Sequence, residues 1–167
     1  RMTGDTRVLA EQYDSARRWV DYAAGAAATR RHHTRGARSP DPLPHERYVW
    51  DRDWHYGEWL EGGETVDQAI AKALDADPGP VATAYLHRSA RELAEIARIL
   101  GHDDDGRSYA ELAAHTADAW RIEFLADDGT TTPDTQATYA RALAFDLIPP
   151  DLRSAAADHL VQRIREA

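Results

Sequence analysis

A chain of 167 residues is enough for one domain or for part of a larger one, and its 43% hydrophobic content supports a packed core, although only two Phe contribute to it. A net charge of -9 at pH 7 and a pI near 5.3 argue against nucleic acid or an anionic membrane surface as a partner, because a phosphate-binding face is basic. No cysteine is present, which excludes disulfides and thiolate metal sites, and no apolar run reaches the ~18 residues that a membrane-spanning helix needs.

Asp5 or Thr6 is placed to cap a first helix. Val8, Leu9, Tyr13, Ala16, Trp19, Val20, Ala23 and Ala27 follow at three- and four-residue steps. That stripe must bury against another element, so Tyr13 and Trp19 are expected in the core. The pattern stops near Thr29. Arg30, Arg31, His32, His33, Arg35 and Arg38 come next, mixed with Gly36, Ser39, Pro40, Pro42 and Pro44. This composition predicts a solvated loop to about Arg47 rather than an anion site. His32 and His33 lack the i, i+4 spacing and partner carboxylate of a zinc site, so no metal ligand is assigned.

The most distinctive stretch is 48–62. Three of the five Trp, two of the seven Tyr and four carboxylates fall within these fifteen residues. Rigid amphipathic rings beside ionisable groups suit a ring-shaped, hydroxyl-bearing ligand; the same rings would also serve to anchor an irregular loop on a helical core. His55, the one histidine in the stretch, reads as a hydrogen-bonding loop residue rather than an acid or base.

Residues 64–76 carry a helical pattern in Val66, Ala69, Ile70, Ala73 and Leu74, ended by Asp77-Pro78-Gly79-Pro80. A clear helix is predicted over 81–100, with Gly101 as its C′ residue. Asp103, Asp104 and Asp105 put negative charge at the start of the next helix, 106–125, where the macrodipole favours it. Their consecutive spacing is unlike the alternating ligands of a calcium loop. Asp127-Asp128-Gly129 is turn chemistry, and helices over 133–147 and 152–164 complete the chain. Apart from a short stretch around 48–50, nothing shows the period-two alternation of a strand. The expected class is all-α, built of antiparallel helix hairpins. A helical-repeat scaffold gripping a peptide through its aromatic loop is the competing reading, since Leu100-Gly101…Tyr109-Ala110 resembles tetratricopeptide spacing, but 133–167 does not repeat it.

Several collinear words carry a more specific resemblance: Gly4-Asp5-Thr6-Arg7-Val8-Leu9, Tyr56-Gly57-Glu58-Trp59-Leu60, Val81-Ala82-Thr83-Ala84-Tyr85, Ala97-Arg98-Ile99-Leu100-Gly101, Asp134-Thr135-Gln136-Ala137 and Ala142-Leu143-Ala144-Phe145-Asp146-Leu147-Ile148-Pro149. In this order they resemble bacterial alpha-L-rhamnosidases, glycoside hydrolases of family seventy-eight. The resemblance implies part of an α/α six-hairpin barrel, or toroid, with function in the loops at one end. It places this chain in the middle of that domain, with the remaining segments of the parent domain and a rhamnoside or other glycoside substrate as its partners. It implies no cofactor, and it places the general-acid glutamate before Arg1 and the general-base glutamate after Ala167, leaving no catalytic residue in this segment. Family members more often have Gly-Asp-Trp where this chain has Gly57-Glu58-Trp59, a difference of one methylene in the carboxylate's reach.

Inverting glycosidases need an acid and a base carboxylate ~6.5–9.5 Å apart. A self-contained enzyme would draw that pair from Asp51, Asp53, Glu58 and Glu61, for instance Asp53 with Glu58. Binding work is the preferred assignment: Trp59, Glu58, Tyr56, Trp54 and Asp53 are expected to bind substrate, Trp59 by stacking on a deoxysugar face and Glu58 by accepting from a sugar hydroxyl. Thr83, Tyr85, Thr135 and Gln136 begin helices next to loops and are candidates for the same mouth, against core packing for Tyr85 and capping for Thr135 and Gln136. A middle slice of a barrel leaves apolar helix faces uncovered. The 167-residue chain by itself is therefore expected to associate or to melt without a sharp transition; sedimentation showing a monodisperse, cooperatively melting monomer would contradict the slice reading.

Overall fold

The computed structural model describes residues 5–52, 55 and 65–166, with backbone alone at 72, 73 and 75. The described residues form helices α1 (Arg7–Thr29), α2 (His33–Arg38), α3 (Val66–Asp75), α4 (Gly79–Ile99), α5 (Asp103–Phe124), α6 (Gln136–Ala144) and α7 (Arg153–Glu166), with a 3₁₀ turn at Pro44–Tyr48. Among them there is no β-strand; Leu125 and Thr131 make one isolated antiparallel bridge. No described helix is long and apolar enough to cross a membrane. The expected all-α class is what is found.

Helix α4 is the element the others pack on. It forms an antiparallel hairpin with α5, so that the Trp120 indole near the end of α5 donates to the Pro80 carbonyl at the start of α4, 2.9 Å. Helix α1 runs alongside both: the Tyr13 hydroxyl donates to Asp105 at 2.7 Å and the Tyr109 hydroxyl to Asp21 at 2.7 Å. One core cluster joins Tyr13, Val20, Ala23 and Ala27 of α1 to Leu86, Ala90, Leu93 and Ala97 of α4. A second joins Trp120 and Phe124 of α5 to Tyr139 and Ala142 of α6, to Phe145 and Leu147 of the segment that follows, and to Ala156 of α7. The buried His87 ring bridges the two, one nitrogen facing the Ala113 carbonyl at 2.8 Å and the other that of Phe145 at 3.0 Å. Helices α6 and α7 form a second antiparallel pair, tied by Gln136 to the Arg163 carbonyl and by Arg153 to the Leu143 carbonyl.

The helix ends follow local chemistry. Gly101, at φ 81°, closes α4 in a Schellman motif, with the His102 N–H on the Ala97 carbonyl (2.8 Å) and the Gly101 N–H on that of Arg98 (3.2 Å). The same device ends α6, but with Asp146 in the left-handed region at φ 59° and the Leu147 N–H on the Ala142 carbonyl. There the Asp146 carboxylate accepts from Arg91 and Arg153. Thr65 and Gln68 make a reciprocal capping box on α3.

Four expectations need correction. Trp19 is 54% exposed, because the buried stripe of α1 centres on Tyr13, Val20, Ala23 and Ala27 and leaves Trp19 at its margin, edge-on to Trp50 at 5.8 Å. Helix α5 begins at Asp103, with all three aspartates in its first turn. Helix α6 begins at Gln136 because the Thr135 hydroxyl caps it, accepting from the Thr138 N–H. Residues 30–47 are not a solvated loop: they hold α2 and the 3₁₀ turn, and Arg35 and Glu46 are buried.

Gly101 and Gly129 both have φ above 80°. A Cβ at Gly101 meets open space, whereas one at Gly129 would lie 3.1 Å from Ala155 Cβ and 3.2 Å from the Ala156 nitrogen. Gly101→Ala is expected to cost about 1 kcal/mol from backbone strain alone, and Gly129→Ala more. Urea unfolding ranks the two; an equal or reversed order would contradict this account.

Candidate functional site

The sequence-predicted binding residues Asp53, Trp54, Tyr56, Glu58 and Trp59, together with Glu61, lie outside the described residues. The described part of the aromatic stretch is its entry, 48–52, and His55. Tyr48 stacks on His115 at 4.9 Å, and the Arg47 guanidinium also lies over its ring at 5.4 Å. Val49 is buried in the second core cluster and Trp50 in the first. The Trp50 backbone is held by one hydroxyl: Thr83 accepts from its N–H at 3.0 Å and donates to its carbonyl at 3.3 Å. His55 stands edge-on to the Trp50 ring at 4.6 Å, and its Nε2 hydrogen-bonds the Arg52 carbonyl, the loop role expected of it.

Asp51 follows, and it is not beside an aromatic ring in a sugar-facing sense. It is 1% exposed and paired with Arg35, Nη1 to Oδ2 at 2.5 Å, while the His32 N–H donates to the same oxygen at 2.9 Å. Arg35 is the centre of a charged cluster. Its Nη2 meets Asp77 at 3.0 Å and its Nε donates to Glu123 at 3.1 Å, and its plane lies over Phe124. Glu123 also accepts from Arg38 and pairs with His45 at 2.7 Å. Arg31 binds Glu46 through two nitrogens at 2.5 and 3.0 Å and donates to the Ser39 carbonyl. Bidentate and charge-assisted bonds of this kind are among the strong ones.

The charge states follow from these contacts. Burial pushes the Asp51 carboxyl up from its ordinary value, opposed by the His32 N–H and Arg35. Burial acts against the Arg35 charge, but Asp77 and Asp51 outweigh it and raise the guanidinium further. Burial also works to raise Glu123; hydrogen bonds from His45 and Arg38 and the Arg35 charge prevail and hold it below its ordinary value. Elsewhere, burial and the bond to Asp105 push Tyr13 up to about 12, so it stays a phenol donor. Among the described residues His45, Glu46 and Glu123 have ligand atoms close enough to share a metal ion. Arg31, Arg35 and Arg38 already neutralise both carboxylates, and the grouping reads as ion pairing. Also among the described residues, neither the Trp50 indole N–H nor Asp51 Oδ1 meets a hydrogen-bond partner.

The other mouth candidates have structural work. Thr83 clamps Trp50, Thr135 caps α6, and Gln136 ties α6 to α7. Tyr85 is half exposed, edge-on to Phe145 at 5.2 Å, so it is not the buried core ring that was one reading of it. The residues that sequence reasoning missed are Arg35, Glu46 and Glu123. Two signals for them exist: Arg31, Arg35 and Arg38 recur at steps of four and three, and Glu123 sits in the last turn of a helix, where the macrodipole disfavours a carboxylate lacking a cationic partner.

Glu123 supplies a pH test. A carboxyl held below its ordinary value, about 4.3 for glutamate, stabilises the fold fully above that value and loses the contribution as pH falls through its depressed folded value. Glu123→Gln is expected to be less stable near neutrality and to lose less stability on acidification. Asp51 is common to both proteins and cancels. Unfolding free energies with the same pH slope in both proteins would contradict the assignment.

Comparison with known proteins bears on the whole chain. The model of the bacterial alpha-L-rhamnosidase 6 hairpin glycosidase domain matches residues 1–167. An alpha-L-rhamnosidase of Streptomyces avermitilis is 30% identical over 161 residues, covering 96% of this chain and 13% of that protein. The crystal structure of a Streptomyces avermitilis alpha-L-rhamnosidase complexed with L-rhamnose superposes with a TM-score of 0.73 at 28% identity, over 98% of this chain and 13% of the other. That of Aspergillus terreus alpha-L-rhamnosidase gives 0.75 at 27% identity, over 98% and 17%. The chain thus spans less than a fifth of the length of these relatives, and its helix hairpins fit part of an α/α six-hairpin toroid. This chain belongs to the bacterial alpha-L-rhamnosidase six-hairpin glycosidase domain family.

Proposed function

We propose that the protein to which this chain belongs is a glycoside hydrolase that cleaves terminal alpha-L-rhamnosides with inversion, and that this segment supplies substrate-pocket residues but neither catalytic glutamate. The observation that carries the reading is the family match over all 167 residues, joined by the likeness to an alpha-L-rhamnosidase complexed with L-rhamnose. Nothing favours the peptide-binding scaffold over it. Trp59, Glu58, Tyr56, Trp54 and Asp53 are the residues assigned to substrate. Their rings offer faces for the apolar side of a deoxyhexose, and their carboxylates accept from its hydroxyls. The bond-breaking pair, an acid protonating the leaving oxygen and a base activating water on the opposite face, comes from other segments of the parent domain.

The test is hydrolysis of an aryl alpha-L-rhamnoside by the full-length parent, with the anomer of the first-formed sugar followed by NMR. Inversion gives beta-L-rhamnose; no hydrolysis, or first-formed alpha-L-rhamnose, would overturn the reading. In the same protein Trp59→Ala is expected to lower kcat/KM at least about tenfold, or ~1.4 kcal/mol of transition-state stabilisation, with the circular-dichroism spectrum unchanged. Unaltered rhamnoside hydrolysis would reject Trp59 as a substrate contact.

A further inference from the structure

In the sequence, the span 52–76 lies between Asp51 and Asp77. It therefore contains both the stretch assigned above to substrate and helix α3. One side chain bonds both of its feet. Arg35 reaches Asp51 Oδ2 through Nη1 at 2.5 Å and Asp77 Oδ2 through Nη2 at 3.0 Å, with its side chain 3% exposed. Each foot is fixed by a further contact. Asp51 takes the His32 N–H, and the Thr83 hydroxyl grips the backbone of the preceding residue on both its N–H and its carbonyl. Asp77 Oδ1 accepts the Gly79 N–H at 2.8 Å at the start of α4. The remaining edge of the guanidinium, Nε, bonds Glu123 at 3.1 Å and so seats the clamp on the last turn of α5. Gly79 packs closely against this group: a Cβ there would lie 2.9 Å from Phe124, 2.9 Å from Asp77 and 3.1 Å from Arg35 Nη2.

We infer that Arg35 is a positioning residue for substrate binding: its guanidinium clamps the two feet of the span 52–76 and so fixes the base from which that span meets the sugar. The inference rests on the proposed rhamnosidase reading for its kinetic consequence, but the clamp itself has a readout that needs no activity. Three carboxylates from three separate segments require a planar fork with donors on every edge, which a lysine ammonium does not provide. The twenty-five residues between Asp51 and Asp77 have fewer conformations open to them when those two residues are held side by side, and misplacing binding groups by about 1 Å is enough to weaken their contribution strongly.

The experiment uses the full-length parent with Arg35→Lys, Asp51→Asn and, as a control, Glu92→Gln. Arg35→Lys is expected to raise KM for an aryl alpha-L-rhamnoside about tenfold with kcat within about twofold, the pattern of lost uniform binding. It should also speed hydrogen exchange at the amides of 48–52 and 65–76. Asp51→Asn, which releases one foot by a smaller change, should raise KM in the same direction. Glu92→Gln breaks an exposed pair with Arg88 on α4, away from both feet, and is expected to leave KM and those amides as they were. The inference fails if Arg35→Lys leaves both KM and exchange unchanged, or if Glu92→Gln raises KM as much as Arg35→Lys does. A parent with no rhamnosidase activity overturns the functional reading instead, and exchange in Arg35→Lys then decides the clamp alone.

Discussion

Arg35 carries its charge in a place where water does not reach it. Taking a guanidinium out of water costs several kcal/mol, and only opposite charges with good hydrogen-bond geometry offset the loss. Here Asp51, Asp77 and Glu123 occupy its three edges, and Phe124 lies beneath its plane. Three carboxylates around one cation would repel one another. Arg38 and the backbone N–H groups of His32 and Gly79 supply the additional donors that make the grouping tolerable. Removing one member of such a group costs roughly 3–5 kcal/mol, whereas an exposed i, i+4 pair contributes a few tenths. Arg88–Glu92 on α4 is a pair of the second kind. The mixed segment 30–47 therefore owes its place to this one buried charge rather than to the larger number of ion pairs on the surface.

The bed beneath it is made of small side chains. Ala82, Ala84, Ala90, Ala94 and Ala97 of α4 are all buried, and they face alanines of α1 and α5. Alanine is the strongest helix former and loses no side-chain entropy on burial, so long helices form readily and their axes approach closely. Large residues join these helices to their neighbours: Trp120 bonds the Pro80 carbonyl at the start of α4, and Tyr139 and Phe145 lie in the cluster that reaches α6 and α7. A core of this kind gives regular helices and leaves the irregular segments to be fixed by polar contacts instead.

That division explains what the sequence made legible. The helices α1, α4 and α5 were read from apolar spacing, and Gly101 from its place after the last apolar residue, because both signals are local. Residues 30–47 were misread because their partners, Asp77 and Glu123, lie 42 and 85–88 residues away, and no periodicity reports a contact at that distance. Trp19 was misplaced for a related reason. A helical stripe gives the direction of burial but not its width, and an alanine-lined partner buries a narrow strip. Asp146 in the left-handed region was invisible because glycine is the expected residue there. The aromatic stretch was found by composition and assigned to substrate by resemblance, and neither source specifies which of its groups face the sugar.

Val49, Trp50 and Asp51 show how the two kinds of order meet. In extended backbone, successive side chains point to opposite sides. Val49 enters the cluster shared by α5 and α6, Trp50 enters the one shared by α1 and α4, and Asp51 enters the charged group around Arg35. Three neighbouring residues thus commit to three separate environments, and a shift of register by one residue would put either an aspartate into a hydrocarbon core or, in the other direction, an indole among carboxylates. That penalty, together with the Thr83 hydroxyl on the Trp50 backbone, fixes the register of 49–51. The entry to the aromatic stretch, 49–51, is therefore held by burial and hydrogen bonding together, and it is among the most fully buried parts of the described structure.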